Sequence, residues 1–235
     1  DFETFLGTTG GNDRLMLIYN TDELDLINIE ELDEMNFQGT GRAPLVAEFQ
    51  VKDSETTFFF MVNHLFRGNA TKRHSQSRML NEWMELQDKP VIAVGDYNYD
   101  WDVEGGDDDH DIGYDLLIAG DIVTWIRPET LIRTQCSATS SGGCRYNSVL
   151  DFVFGSNLPE NWETNSKILT QPNDFPDDFR TSDHRMVLGE FVMKGAPITD
   201  CGLVKEELKL RIENIEKELN ALKRLLADLE GVAIN

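Results

Sequence analysis

"PVIAVGDYNYDWD", residues 90–102, is the stretch on which the reading of this chain turns. A short apolar, partly β-branched run reaches Gly95 and then presents a carboxylate, Asp96, and an amide, Asn98. Such a run bounded by turn residues reads as a buried strand. Side chains two apart on a strand face the same way, so Asp96 and Asn98 are expected to project together at its mouth. Their oxygens suit a hard cation such as Mg²⁺. They equally suit a carboxylate that takes a proton from attacking water, beside an amide that donates to a phosphate oxygen.

Working outward, five more segments have strand character: 14–19, 44–51, 56–65, 148–155 and 185–193. Between the third strand and the fourth, 90–96, lies "KRHSQSRMLNEWMELQ" (72–87), in which Met79, Leu80, Trp83 and Leu86 recur at helical spacing. The Gly- and Asp-rich stretch 97–115 reads as a loop. Within it "DDDHD" (107–111) reads as a solvated acidic patch, with Ca²⁺ binding as the alternative, although no spaced EF-hand pattern is present. Strands with intervening helices and hairpins give an α/β (α+β) domain over residues 1–195. Residues 196–202 follow as a linker.

From 203 to 230 the pattern changes. Leu208, Ile212, Ile215, Leu219, Leu222, Leu226 and Leu229 step alternately by four and three, a coiled-coil seam. Arg211 with Glu216 and Glu218 with Lys223 would attract across a parallel interface, so a homo-oligomer through this helix is expected. A helix folded back on its own domain is the alternative.

Composition sets limits. The chain of 235 residues carries 43 acidic and 21 basic residues, a formal charge of −22. So negative a surface repels nucleic acid and anionic membranes at long range, and a polyanionic substrate must be held by a local site. No apolar run is long enough to span a bilayer as a helix. Cys136 and Cys144 bracket "CSATSSGGC", and a disulfide there would suit a secreted or periplasmic protein; two free thiols are the other reading.

"GDYN" (95–98) is accompanied by "NHL" (63–65) at one strand end, "LDF" (150–152) inside another and "SDH" (182–184) ahead of a third. Two of only four histidines thus stand at strand ends with carboxylates to hand, an arrangement that fixes an imidazole's tautomer and raises its pKa. The ordered set, with "LDFVF" and "SDHRMV", resembles the endonuclease/exonuclease/phosphatase superfamily, the deoxyribonuclease-I-like fold, from about residue 5 to 193.

The resemblance implies a two-sheet β-sandwich flanked by helices, and a phosphodiester hydrolase dependent on Mg²⁺ or Mn²⁺, most naturally an exported nuclease acting on nucleic acid. A phosphatase or phosphodiesterase for lipid or inositol phosphates, or a catalytically incomplete binding module, are the rival readings. It assigns Asp96 to the attacking water, Asn98 to a phosphate oxygen or the metal, and Asp183 to the metal. His184 would contact the phosphate, oriented by Asp151, and His64 would act as acid toward the leaving oxygen, supported by Asp13. Asn63, Arg67 and Arg73 are the candidate substrate contacts, the two arginines alternatively marking only a helix start. The Glu that supplies the superfamily's principal metal ligand has no counterpart in this sequence, and its first strand is likewise unmatched, so the domain 1–195 is expected to be N-terminally incomplete, an incomplete metal site being the alternative.

Overall fold

In the computed structural model, residues 1–103, 109–139, 143–144, 148–175 and 182–193 are described. The chain divides into two compact units, 1–193 and 194–235. The second unit, with the expected linker, coiled coil and oligomer interface, lies outside the described residues.

The centre of the first unit is a six-stranded sheet. Its strands are β3 (Leu24–Glu31), β4 (Leu45–Val51), β5 (Thr57–His64), β6 (Val91–Asp102), β7 (Val123–Trp125) and β8 (Ser148–Ser156), in the order β3-β4-β5-β6-β8-β7. Every pair is antiparallel except β5 with β6. A parallel neighbour requires a crossover, supplied by helix α1 (Ala70–Glu85). Asn69 caps that helix, its side chain accepting from the Lys72 amide at 3.0 Å.

Period-two alternation distributes the strand residues between two cores. Val46, Met61, Val91, Ala93, Phe152 and Phe154 meet Leu80 and Met84 of α1 and Leu117 of the short helix α2 (Gly113–Leu117). Leu45, Ala47, Phe49, Phe58 and Ile92 face the other way. Two hairpins supply side chains to that second core. Strands β1 (Phe2–Leu6) and β2 (Met16–Asn20) form one, contributing Leu17 and Tyr19. Strands β9 (Glu163–Ile168) and β10 (Val187–Val192) form the other, contributing Phe191. The expected second sheet is therefore, among the described residues, two separate two-stranded sheets.

The stretch 97–115 departs from a loop: β6 runs on to Asp102, and α2 occupies 113–117. Tyr97 and Tyr99 are the cause, both fully buried in the helix-side core. Their hydroxyls meet Asn63 Nδ2 at 3.0 Å and Ser77 Oγ at 2.8 Å, so neither polar end is stranded. Nor are the described residues of "DDDHD", 109–111, simply solvated. His110 stacks on Trp101, and Asp111 accepts from Arg73, His74 and the Gly113 amide. Leu86, expected on the apolar helix face, is exposed because the helix ends at Glu85.

Candidate active site

Strand register assembles the site. The parallel β5–β6 ladder sets Asn63 opposite Gly95 and His64 opposite Asp96. The antiparallel β6–β8 ladder sets Asp96 opposite Asp151. His64, Asp96 and Asp151 therefore form a row across three adjacent strands, about 5 Å apart from strand to strand. Gly95 makes the row possible: its φ is +133°, and a Cβ there would overlap the Asn63 backbone.

Beyond Asp96 the strand is irregular. Asn98 and Asp100 have φ of 53° and 49°, and the β6–β8 register slips between Asp96 and Trp101. Asp96 and Asn98 are held together by a hydrogen bond from the Asn98 amide to Asp96 Oδ1, 2.9 Å, not by a regular pleat. Asn98 is buried, and its Nδ2 donates to the Leu65 carbonyl at 3.1 Å.

His184 enters from the turn before β10. The peptide at Gln135 bridges to it, and its Nδ1–H donates to Asp151 Oδ2 at 2.8 Å. Its Nε2 lies 4.0 Å from Asp96 Oδ2, the oxygen that stands 3.4 Å from His64 Nε2. Two imidazoles thus converge on one carboxylate oxygen.

Electrostatics separates the two histidines. Burial opposes charge on His184, but the hydrogen bond and the charge of Asp151, with Asp96 and Asp183 adding, raise its pKa to about 9. It is cationic at neutral pH. Burial lowers His64 to about 4, with Arg42 and His184 repelling its proton, so it is neutral there. Asp96 is pushed well above the ordinary carboxylate range, first by burial and then by Asp151. Proximity to His64 does not rescue that imidazole's charge, because Asp96 is itself reluctant to ionise.

Asp183 is fixed separately. Ser137 Oγ donates to its Oδ2 at 2.8 Å and Gln135 Nε2 to the same oxygen at 3.2 Å. Burial works against ionisation, but these two donors and His184 hold the carboxyl below its usual range. Among the described residues, no three His, Cys, Asp or Glu side chains converge into a metal cage. Asp96, Asn98 and Asp183 alone therefore do not make a complete protein cage for Mg²⁺, Mn²⁺ or Ca²⁺.

Some expected members of the site have other work. Asp13 pairs with the Arg42 guanidinium, whose Nε also donates to the Asp13 carbonyl at 2.6 Å; no bond joins Asp13 to His64. Arg73 is buried, bonding Asp111 and the carbonyls of Phe66 and Arg67 at 2.8 and 3.0 Å, and so braces the turn after His64 instead of facing a substrate. Asn63 is likewise buried against Tyr97. Arg67 is exposed, and its charge reaches His64. The sequence reading missed Arg42, whose charge bears on both Asp96 and His64. The available signal was "GRAP" (41–44), a lone arginine between a polar turn and the apolar start of β4.

Comparison with solved structures places this architecture. A mannosyl-6-phosphatase of Bacteroides thetaiotaomicron superposes with a TM-score of 0.57 at 17% identity, over 81% of this chain and 77% of that one. An endonuclease/exonuclease/phosphatase family protein of the same organism gives 0.59 at 18%, over 81% and 74%. D. rerio TDP2, crystallised with a single-strand DNA product, gives 0.59 at 15%, over 81% and 77%. The chain has the endonuclease/exonuclease/phosphatase fold. No protein-family profile and no curated protein sequence matches it.

Proposed function

We propose that this chain is a phosphoester hydrolase, with a phosphodiester, and nucleic acid in particular, as its substrate. The observation that carries this reading is the convergence of a cationic His184 and a neutral His64 on one oxygen of a hard-to-ionise Asp96. The fold supports it, being shared with the mannosyl-6-phosphatase and with TDP2 bound to a DNA product.

Each group has a task its environment favours. A general base works best when its pKa lies near the working pH, and burial moves Asp96 that way. Asp96 takes the proton of a water attacking phosphorus; the new P–O bond forms as the bond to the leaving oxygen breaks. His184, held cationic by Asp151, and Arg42 stabilise the charge that builds on the non-bridging oxygens. His64 is neutral without substrate. A bound phosphate adds negative charge beside it, offsetting Arg42 and His184, and so raises its proton affinity for protonating the leaving oxygen.

The resemblance implies dependence on Mg²⁺ or Mn²⁺; such an ion commonly rests on one or two carboxylates, with water and substrate phosphate completing its shell, and Asp183 and Asp96 are the carboxylates that would hold it. The test is hydrolysis of a single-stranded oligonucleotide and of a sugar phosphomonoester, each with Mg²⁺, with Mn²⁺ and with EDTA. Oligonucleotide cleavage that EDTA abolishes is expected. Turnover of the monoester alone would move the assignment to a phosphatase, and inertness toward both would favour a binding module.

A further inference from the structure

Residues 134–137 lie between β8 and the turn that carries Asp183 and His184, bonded to both. On one side, the Leu150 and Asp151 amides donate to Thr134 Oγ1 at 2.9 and 3.2 Å. On the other, the Arg185 amide donates to the Thr134 carbonyl at 2.7 Å, and the Cys136 amide to the Asp183 carbonyl at 2.8 Å. The Asp183 carboxylate receives Ser137 and Gln135, and Gln135 Nε2 also donates to Ser137 Oγ at 2.7 Å. Gln135 is almost completely buried, and its Oε1 has no partner among the described residues. A buried amide left half-satisfied is costly, so its orientation is set by the two oxygens its NH₂ group serves.

The next residue in line is Cys136, fully buried, with Cys144 at a Cα separation of 4.8 Å and the sulfurs within bonding distance. Ala138 bridges to Cys144, and the Thr139 amide donates to the Gly143 carbonyl at 3.1 Å, so the loop closes just past Ser137. Without that closure Ser137 would begin an exposed surface loop, where a lone hydroxyl has little to hold it in one rotamer.

We propose that Ser137 and Gln135 are positioning residues for Asp183, and that the Cys136–Cys144 crosslink holds Ser137 in place to do it. This rests on the reading of Asp183 as a carboxylate of the hydrolytic site. Partners that orient a site carboxylate are commonly worth 10- to 100-fold when removed. Ser137→Ala is therefore expected to lower kcat by about 10-fold with an unchanged melting temperature, and Ser137→Thr, which keeps the hydroxyl, to recover most of the loss.

The crosslink's part is read by non-additivity. Dithiothreitol should lower kcat of the wild-type protein by a similar factor, yet cost Ser137→Ala much less, because the bond it releases is already gone. Equal losses in both proteins would overturn the coupling, and wild-type kcat in Ser137→Ala would overturn the positioning role. A second arm needs no turnover. Hydrogen exchange followed by mass spectrometry should show faster exchange around residues 182–186 on reduction, with β8 unchanged. Unchanged exchange there overturns the brace even in a protein that proves to hydrolyse nothing. Faster exchange in such a protein supports the brace and leaves only the hydrolase reading at fault.

Discussion

Replacing Asp151 with Asn tests the electrostatic core of the site with almost no change of shape. The amide oxygen can still accept from His184 Nδ1, so the 2.8 Å hydrogen bond is kept while the charge is lost. Asp151 is the main group raising His184 from 6.5 to about 9. At ~1.4 kcal/mol for each pH unit, the net preference for the cation amounts to about 3 kcal/mol, what is left after burial has opposed the charge and Asp151, with Asp96 and Asp183 adding, has favoured it. If the whole effect were lost, His184 at pH 8 would go from mostly protonated to roughly 3% protonated.

NMR titration of the imidazoles is the direct assay, since the chain has only four histidines. Wild-type protein should show one titrating near 9 and one near 4, and in Asp151→Asn the upper one should move to near 7 or below. Turnover at pH 8 should fall by 10-fold or more, and the alkaline limb of the rate profile should move toward acid. Stability carries the same signature. A raised histidine stabilises the fold fully below its unfolded pKa, near 6.5, and loses that contribution as pH rises through about 9. Wild-type stability should therefore decline between these values, and Asp151→Asn should decline less. A high-pKa imidazole that stays near 9 in the mutant would refute the assignment of the shift to Asp151.

Asp96→Asn should lower kcat by at least ~10²-fold while the melting temperature holds or rises, since a buried carboxylate beside Asp151 is a poor place for charge; circular dichroism with a steady-state assay checks both. Arg73→Met leaves Asp111 half-paired in a buried setting and should destabilise by about 3 kcal/mol, measured by urea unfolding, with activity falling as the turn after His64 loosens. Thiol labelling of native, unreduced protein should leave Cys136 and Cys144 unmodified, and modification of both would show them to be free.

Much of this molecule can be read along the chain, for local reasons. Near-continuous apolar runs mark β4, β5, β6 and β8 because each is covered on both faces, and "GDYN" is visible because a glycine, a carboxylate and an amide follow such a run. Strands β1, β3, β7 and β9 were not legible: β7 is only three residues long, runs such as "LDLINIEE" mix acids with isolated apolar residues, and their pairing depends on distant partners. Only tertiary structure determines which acid meets which base. Asp13 goes to Arg42 and Asp151 to His184, while Arg73 turns inward to Asp111, because register and burial, not sequence proximity, set these distances. The separation of two histidines into one cation and one neutral imidazole is likewise a property of their surroundings, since desolvation and neighbouring charge exist only once the strands have paired.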